Sequence, residues 1–171
     1  MTEAVNDMNQ ATRAAVGREG KYLTFSLSGE EYGIGILKVK EIIGMMPVTT
    51  IPQAPPYVKG VINLRGKVIP VVDLRCKFAM PAVDYTERTC IIVVEIGGAA
   101  LTRLRIGCVV DSVSEVLNIK ASDIEDTPDF GVHCETDFIR GMAKVNGSVK
   151  MLLDIDSVFH KEEMQNLTQA A

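Results

Sequence analysis

Tryptophan is absent from this sequence of 171 residues, and aromatic residues make up only 5% of it. Proteins that bind single-stranded nucleic acid stack the bases on aromatic side chains beside a basic groove. Here the net charge is −4, and charges of both signs are spread along the chain. Because counterion displacement from nucleic acid requires a basic surface, the composition argues against nonspecific nucleic-acid binding.

The residues that carry most enzyme chemistry are also scarce, or they do not occur at the spacings of known catalytic and metal-binding motifs. The only histidines are His133 and His160, neither in an HExxH motif, and none of the four cysteines belongs to a CxxC pair. The phosphate-binding and nucleophile-elbow glycine motifs are absent. The acidic stretch 123–129 lacks the ligand order of a calcium loop. We therefore predict no enzyme, no metal site and no cofactor.

Long apolar runs are missing as well. No segment reaches the roughly 18 apolar residues of a membrane span, and the N-terminus lacks the basic start and apolar stretch of a signal peptide. Cys90 and Cys108 lie in apolar runs, which is typical of reduced cysteines that act as small hydrophobes. We expect a cytoplasmic protein that does not insert into a membrane.

What the chain does contain is an internal duplication. Residues 57–78 match residues 138–159 at a shift of 81 positions. Residues 33–43 fall on 107–117 at a shift of 74, and residues 25–29 fall on 94–98 at a shift of 69. The order is kept while the shift grows, as two copies with small insertions in the second would produce.

Each copy predicts several short strands. Leu23, Phe25 and Leu27 alternate with polar residues, and the apolar run 90–96 predicts a strand covered on both faces. Residues 48–51 predict another short strand, whereas 37–43 fit either a short helix or a strand. We predict short helices over 74–78 and 156–167.

Short, closely spaced strands favour small closed barrels, because closure removes exposed strand edges. The predicted fold is mainly β, with two SH3-like, five-stranded barrels from the duplication and a few short helices. Barrel one spans about 21–88 and barrel two about 89–160, with exchange of strands between them left open. Residues 1–20 are predicted as a mobile tail and 161–171 as a C-terminal helix or tail.

The two matching hairpins differ at their turns. Asn146-Gly147 is the strongest two-residue hairpin signal, because both residues accept positive φ. The first hairpin has Arg65 at the position of Asn146. With the same backbone, Arg65 is left-handed at a cost of about 1–2 kcal/mol, which marks a candidate functional turn. In the alternative, the turn is of another type and Arg65 is a solvated charge. Pro70 predicts that the following strand lies at a sheet edge.

Acidic residues stand near this turn and at several strand ends. We predict that Glu41 pairs with Arg65, and since an exposed pair adds only about 0–1 kcal/mol, its use would be to fix a binding geometry. Asp73, Asp111 and Asp154 each follow an apolar strand. We interpret them as strand-end or helix-capping residues.

Three stretches resemble the CheW family, the coupling proteins of bacterial chemotaxis. They are EYGI at 31–34, LKVKEI at 37–42 and GVINLRGKVIPVVDLR at 60–75. The resemblance runs from about Lys21 to the C-terminus and implies two interlocked SH3-like barrels. It implies a non-catalytic adaptor that joins the CheW-like regulatory domain of the histidine kinase CheA to the cytoplasmic helical hairpin tips of chemoreceptors, within receptor arrays.

The resemblance also implies a site. A receptor helix would lie in an apolar groove between the barrels, as amphipathic helices do in hydrophobic grooves. The implied partner-binding residues are Val39, Glu41, Gly60, Asn63, Arg65, Cys90 and Val116. Cys90 departs from the aliphatic residue usual in the family. Which barrel docks the kinase stays open, and the alternative function is a small β-barrel module that binds another protein or nucleic acid.

Overall fold

A computed structural model describes residues 17–97, 103–127 and 138–159, which form strands and short helices. The strands are β1 (Gly20–Leu27), β2 (Glu30–Gly35), β3 (Val39–Gly44), β4 (Val58–Leu64), β5 (Lys67–Asp73), β6 (Cys90–Ile96), β7 (Leu104–Val110), β8 (Ser112–Ile119), β9 (Ile124–Glu125), β10 (Ile139–Val145) and β11 (Ser148–Leu153). The helices are α1 (Leu74–Lys77) and α2 (Ile155–Val158), with 3₁₀ turns at Ile36–Lys38 and Ala121–Asp123. The predicted tail before residue 17 and most of the predicted C-terminal helix lie outside the described residues.

The strands form two sheets, which confirms the predicted mainly β fold with two SH3-like units. Sheet one has the order β8-β1-β2-β11-β10-β9, and sheet two has the order β3-β6-β7-β5-β4. Neighbouring strands are antiparallel except for two parallel pairs, β2 with β11 and β5 with β7.

Each sheet takes strands from both copies of the duplication. β1 and β2 belong to the first copy but pair with β8 and β11 of the second. β6 and β7 belong to the second copy but pair with β3 and β5 of the first. When strands are numbered within their own copy, and the extra two-residue strand β9 is left out, both sheets have the same order, 3-1-2-5-4. The copies have therefore exchanged their first two strands.

A shared hydrophobic core lies between the sheets and joins them. It contains Phe25 of sheet one and Ile92 and Val94 of sheet two, all completely buried. Each sheet also encloses a smaller cluster of its own. β6 contributes to two of these cores, because Ile91 and Val93 pack inside sheet two while their neighbours face the shared core. This confirms the prediction of a strand covered on both faces.

Two local predictions change in the structure, and one that was left open is decided. The prediction that Pro70 marks an edge strand is wrong, because β5 lies inside sheet two, between β7 and β4. The parallel ladder with β7 includes only residues 71–73, so Pro70 precedes the part of β5 that must donate to it. The predicted strand at 48–51 is reduced to a single bridge between Thr49 and Val61. Residues 37–43 end the 3₁₀ turn and then form most of β3.

An ion pair holds the point where the chain passes from sheet two to sheet one. Arg75 on α1 binds Asp111, which separates β7 from β8, through two N–O contacts of 2.6 Å each. The backbone N–H of Ser28 also donates to Asp111 at 2.8 Å. We call this cross-copy contact the first clamp.

A second ion pair holds the opposite crossing, from sheet one to sheet two. Lys38, between β2 and β3, contacts Asp156 on α2 at 2.6 Å, and the N–H of Gly97 donates to the same carboxylate at 3.1 Å. We call this contact the second clamp. The duplication matches Arg75 with Asp156 and Ser28 with Gly97. Lys38, however, lies one position after Leu37, which the duplication matches with Asp111. The second clamp is therefore similar to the first, with an anion at the matched helix position and the cation one residue from the matched position.

Candidate functional site

The first hairpin turn has the same backbone as the second. Arg65 and Gly66 have φ of 53° and 84°, and Asn146 and Gly147 have φ of 51° and 79°. Both turns are therefore of the type in which each central residue is left-handed. Arg65 is left-handed, as one of the two interpretations predicted, and it lacks the short amide side chain that makes this region accessible to asparagine.

Two side chains support this turn. The Arg65 guanidinium donates to both carboxylate oxygens of Glu41, at 3.1 Å and 2.5 Å. The amide oxygen of Asn63 accepts from the N–H of Gly66 at 2.9 Å. The Arg65 side chain is 76% exposed and that of Glu41 only 26%, so the carboxylate anchors an arginine that points into solvent. The predicted pairing of Glu41 with Arg65 is confirmed.

Gly60 is required by its contact with the neighbouring segment. Its φ of 143° is unfavourable for side chains, and an added Cβ would lie 2.0 Å from the carbonyl oxygen of Thr49. Thr49 and Val61 exchange two backbone hydrogen bonds of 2.8 and 2.9 Å. Gly60 therefore lets the segment before β4 lie directly against that strand, next to Asn63 and the turn.

The remaining predicted residues lie along the junction of the two sheets, which we call the seam. β3 and β8 are end strands of their sheets. Val39 pairs with Val94 and Val116 with Leu23, and both of these partners belong to the shared core. Val116 is 49% exposed, so it offers apolar surface to solvent.

The seven predicted residues thus form two groups rather than one. Four lie at or beside the first hairpin: Glu41, Gly60, Asn63 and Arg65. Three lie on the seam: Val39, Cys90 and Val116. Glu41 belongs with the hairpin although it shares β3 with Val39, because it pairs with Val93, whose side chain packs inside sheet two.

A cleft of about 550 Å³ opens on the seam beside Cys90. Its lining is Ser26, Arg88, Cys90, Ser112, Val113 and Ser114. This part of the seam is more polar than the apolar groove that was predicted, because serines flank Val113 on β8. The sequence analysis did not identify Arg88 or these serines. The serines are indicated only by the alternation around Val113, and Arg88 only by its position just before an apolar strand.

The thiols of the seam and core are poor nucleophiles. Burial raises the pKa of Cys90, and a hydrogen bond with the Val113 backbone opposes that rise only in part. Burial raises the pKa of Cys108 to about 12. Both thiols are therefore protonated at neutral pH, and reactivity requires the thiolate.

Other chemistry is not assembled in the described part of the chain. Asp73 and Asp154 cap α1 and α2 by accepting backbone N–H groups, which agrees with their interpretation as capping residues. Among residues 17–97, 103–127 and 138–159, no three histidine, cysteine or acidic side chains converge on a possible metal position. Within the same ranges, no helix has the length and apolarity needed to cross a bilayer.

Comparison with known proteins agrees with this architecture. The family model described as "CheW-like domain" matches residues 21–163. A chemotaxis protein CheW from Klebsiella aerogenes is 43% identical over 149 residues, which cover 87% of this chain and 86% of that protein. A chemotaxis protein CheW from Bacillus subtilis is 35% identical over 147 residues, covering 85% of this chain and 90% of the relative.

A solved structure gives the same result. The crystal structure of the scaffolding protein TtCheW from Thermoanaerobacter tengcongensis superposes with a TM-score of 0.75 at 34% identity, and the match covers 85% of this chain and 95% of that one. The exchanged strands, the matched hairpins and these similarities lead to one assignment: the chain belongs to the CheW family.

Proposed function

We propose that this protein is a non-catalytic adaptor that couples the regulatory domain of the kinase CheA to the signalling tips of chemoreceptors. Its relatives are named chemotaxis proteins and a solved relative is named a scaffolding protein. It would act in the cytoplasm, at membrane-associated receptor arrays that it reaches through its partners.

The observation that carries this proposal is the division of the site residues into two separate surfaces. An adaptor needs two, and the chain offers an exposed hairpin arginine held by Glu41 and an apolar strip along the seam. Neither surface includes an activated nucleophile or a base within reach of one. The seam suits an amphipathic receptor helix, with Val39, Cys90 and Val116 as contacts.

The hairpin group supplies a rigid contact rather than a large apolar one. Arg65 can present its remaining N–H donors in a fixed direction, because Glu41 holds the guanidinium and Asn63 holds the turn. Such a preorganised arginine loses little conformational entropy on binding. Individual contacts of this size contribute little affinity. Simultaneous binding at many positions in an array would therefore supply much of the overall binding strength.

Pull-down and calorimetric titration with a CheA regulatory domain and a receptor tip test the proposal. We expect the intact protein to bind both partners and Arg65→Ala to lose at least one of them. Asn146→Ala, at the equivalent turn of the second copy, is the matched control and should bind both. An intact protein that binds neither partner contradicts the function, and an Arg65→Ala protein that binds both normally contradicts the site.

A further inference from the structure

The cleft on the seam contains a cation that no described residue neutralises. Arg88 lines the cleft and is exposed. In the described part of the chain, its guanidinium takes part in no hydrogen bond or ion pair. The other polar side chains that line it among the described residues are the hydroxyls of Ser26, Ser112 and Ser114, and none of these lining residues is a carboxylate.

The backbone beneath Arg88 is held in place. The N–H of Thr86 donates to the hydroxyl of Thr89 at 2.8 Å, and the N–H of Arg88 donates to the hydroxyl of Thr86 at 3.1 Å. Thr89 is buried and also donates its N–H to the carbonyl of Thr86 at 3.2 Å. The turn therefore fixes the backbone from which the Arg88 side chain extends, beside the entrance of the cleft.

Three acids adjoin cleft residues in sequence: Glu87 and Glu115, which are not among the described lining residues, and Asp111, which is already paired. Asp111 precedes Ser112, but its carboxylate binds Arg75 through two contacts and accepts the N–H of Ser28. This pairing offsets the charge of Asp111, and no carboxylate of the described residues forms an ion pair with Arg88. The cleft therefore combines a guanidinium with hydroxyl donors, a set of groups that suits a carboxylate.

We propose that this cleft receives the carboxylate of a glutamate or aspartate on the helix that docks along the seam. The inference rests on the proposed adaptor function and specifies what the helix must carry. Cys90 lies both in the cleft and in the seam group, so a helix that covers the seam reaches the cleft without leaving it. An acidic side chain entering there meets Arg88 and loses no competing partner.

The contact selects among helices rather than supplying most of the affinity. Arg88 lies at the surface, where a rim charge acts mainly on association rate and on discrimination between partners. A helix with lysine at the facing position would meet like charge and bind more weakly. Apolar contacts at Val39 and Val116 would hold either helix.

Charge reversal in both partners tests the proposal. Arg88→Glu is titrated with a receptor tip and with a panel of tip variants in which each acidic residue is changed singly to lysine. Lys120→Glu is the control, because Lys120 is an exposed cation outside the cleft and the net charge changes equally. We expect Arg88→Glu to weaken binding of the unmodified tip about tenfold or more, and one lysine variant to restore it, whereas Lys120→Glu binds the unmodified tip normally.

The outcomes separate this proposal from the adaptor function. If the intact protein binds the tip and Arg88→Glu binds equally well, the cleft does not recognise an acid. Weakening that no lysine variant reverses, or that Lys120→Glu reproduces, also overturns it. An intact protein that binds no tip at all overturns the adaptor function instead, and the acid-recognising cleft with it. Free glutamate at millimolar concentration should not compete, because the proposed ligand is a side chain of the docked helix.

Discussion

Arg75 and Asp111 come from different copies of the duplication, and they form a two-contact ion pair where the chain crosses from one sheet to the other. Their side chains are only 13% and 27% exposed. A paired charge at that depth contributes more than a surface salt bridge, because loss of one partner leaves the other poorly solvated.

Removal of the Arg75 side chain should therefore destabilise the fold. We expect Arg75→Ala to lower the free energy of unfolding by about 1–3 kcal/mol, measured by urea denaturation. Lys144→Ala is the control, since Lys144 and Glu125 pair within sheet one and are both more than 60% exposed; its cost should stay within about 0.5 kcal/mol. Equal effects of the two substitutions would contradict a special role for the first clamp.

The same pair should give stability a specific pH dependence. The hydrogen bonds from Arg75 hold the pKa of Asp111 below its ordinary value, although partial burial acts in the opposite direction. A carboxylate with a lowered pKa in the folded state contributes stability above its unfolded pKa and loses it as pH falls through the folded pKa.

The difference in unfolding free energy between the intact protein and Asp111→Asn should accordingly stay constant from pH 7 to about pH 5 and shrink below about pH 4. Urea denaturation at several pH values measures it. Glu125→Gln, at the exposed pair, should differ little from the intact protein throughout. A difference for Asp111→Asn that grows on acidification would contradict the pairing.

Arg65 should trade stability for function. Arg65→Asn gives the first turn the residue of the second, and relief of the left-handed arginine offsets the lost ion pair with Glu41. We expect the free energy of unfolding to stay equal or rise by about 1 kcal/mol, while binding of a partner weakens. Denaturation and calorimetric titration measure the two effects. A marked loss of stability would show that Arg65 serves mainly the fold.

Gly60 should tolerate no side chain. Gly60→Ala places a Cβ 2.0 Å from the Thr49 carbonyl oxygen at a φ of 143°, so we expect a loss of more than about 2 kcal/mol. Gly147→Ala separates the two causes, because its φ is 79° but nothing lies within 4 Å of the added atom. That variant should lose only about 1 kcal/mol. Thermal or urea unfolding decides, and equal losses would show that steric contact at Gly60 is unimportant.

Cys90 offers a direct probe of the seam. Its thiol is half-buried with a raised pKa, so alkylation should be slow, and a bound receptor tip should slow it further. Cys76, which is partly exposed and outside the seam, is the internal control and should be unaffected. Mass spectrometry of the labelled peptides measures both rates. Unchanged labelling of Cys90 in the complex would contradict docking along the seam.

Much of this architecture follows from local pattern. The Asn146-Gly147 turn predicts its hairpin, the match between copies transfers that hairpin to Arg65, and the continuous apolar run of β6 predicts burial on both faces. The edge-strand prediction from Pro70 was wrong because the effect of a proline depends on which residues of β5 donate to β7. That pairing joins segments that are distant in the sequence. A proline within a strand does not reveal where the neighbouring ladder begins.

The exchange of strands could not be predicted from local sequence pattern, for a related reason. β1 has the same alternation whether it pairs with its own copy or with the other, because the side chains it buries are the same. The clamps were also missed, although the opposite charges at Arg75 and Asp156, which the duplication matches, are a signal of divergence. Arg88 was harder still to identify, because nothing in the sequence around an isolated exposed arginine indicates that it lines a cleft.

The exchanged strands bear on how such a chain could have arisen. If the exchange preceded the duplication, an ancestral unit would have shared its first two strands with an identical molecule in a symmetric homodimer. In such a dimer both crossings would carry the same residues, and any substitution would change two places at once. Fusion into a single polypeptide would remove this constraint, so that a cation at position 75 and an anion at the matched position 156 could be selected independently.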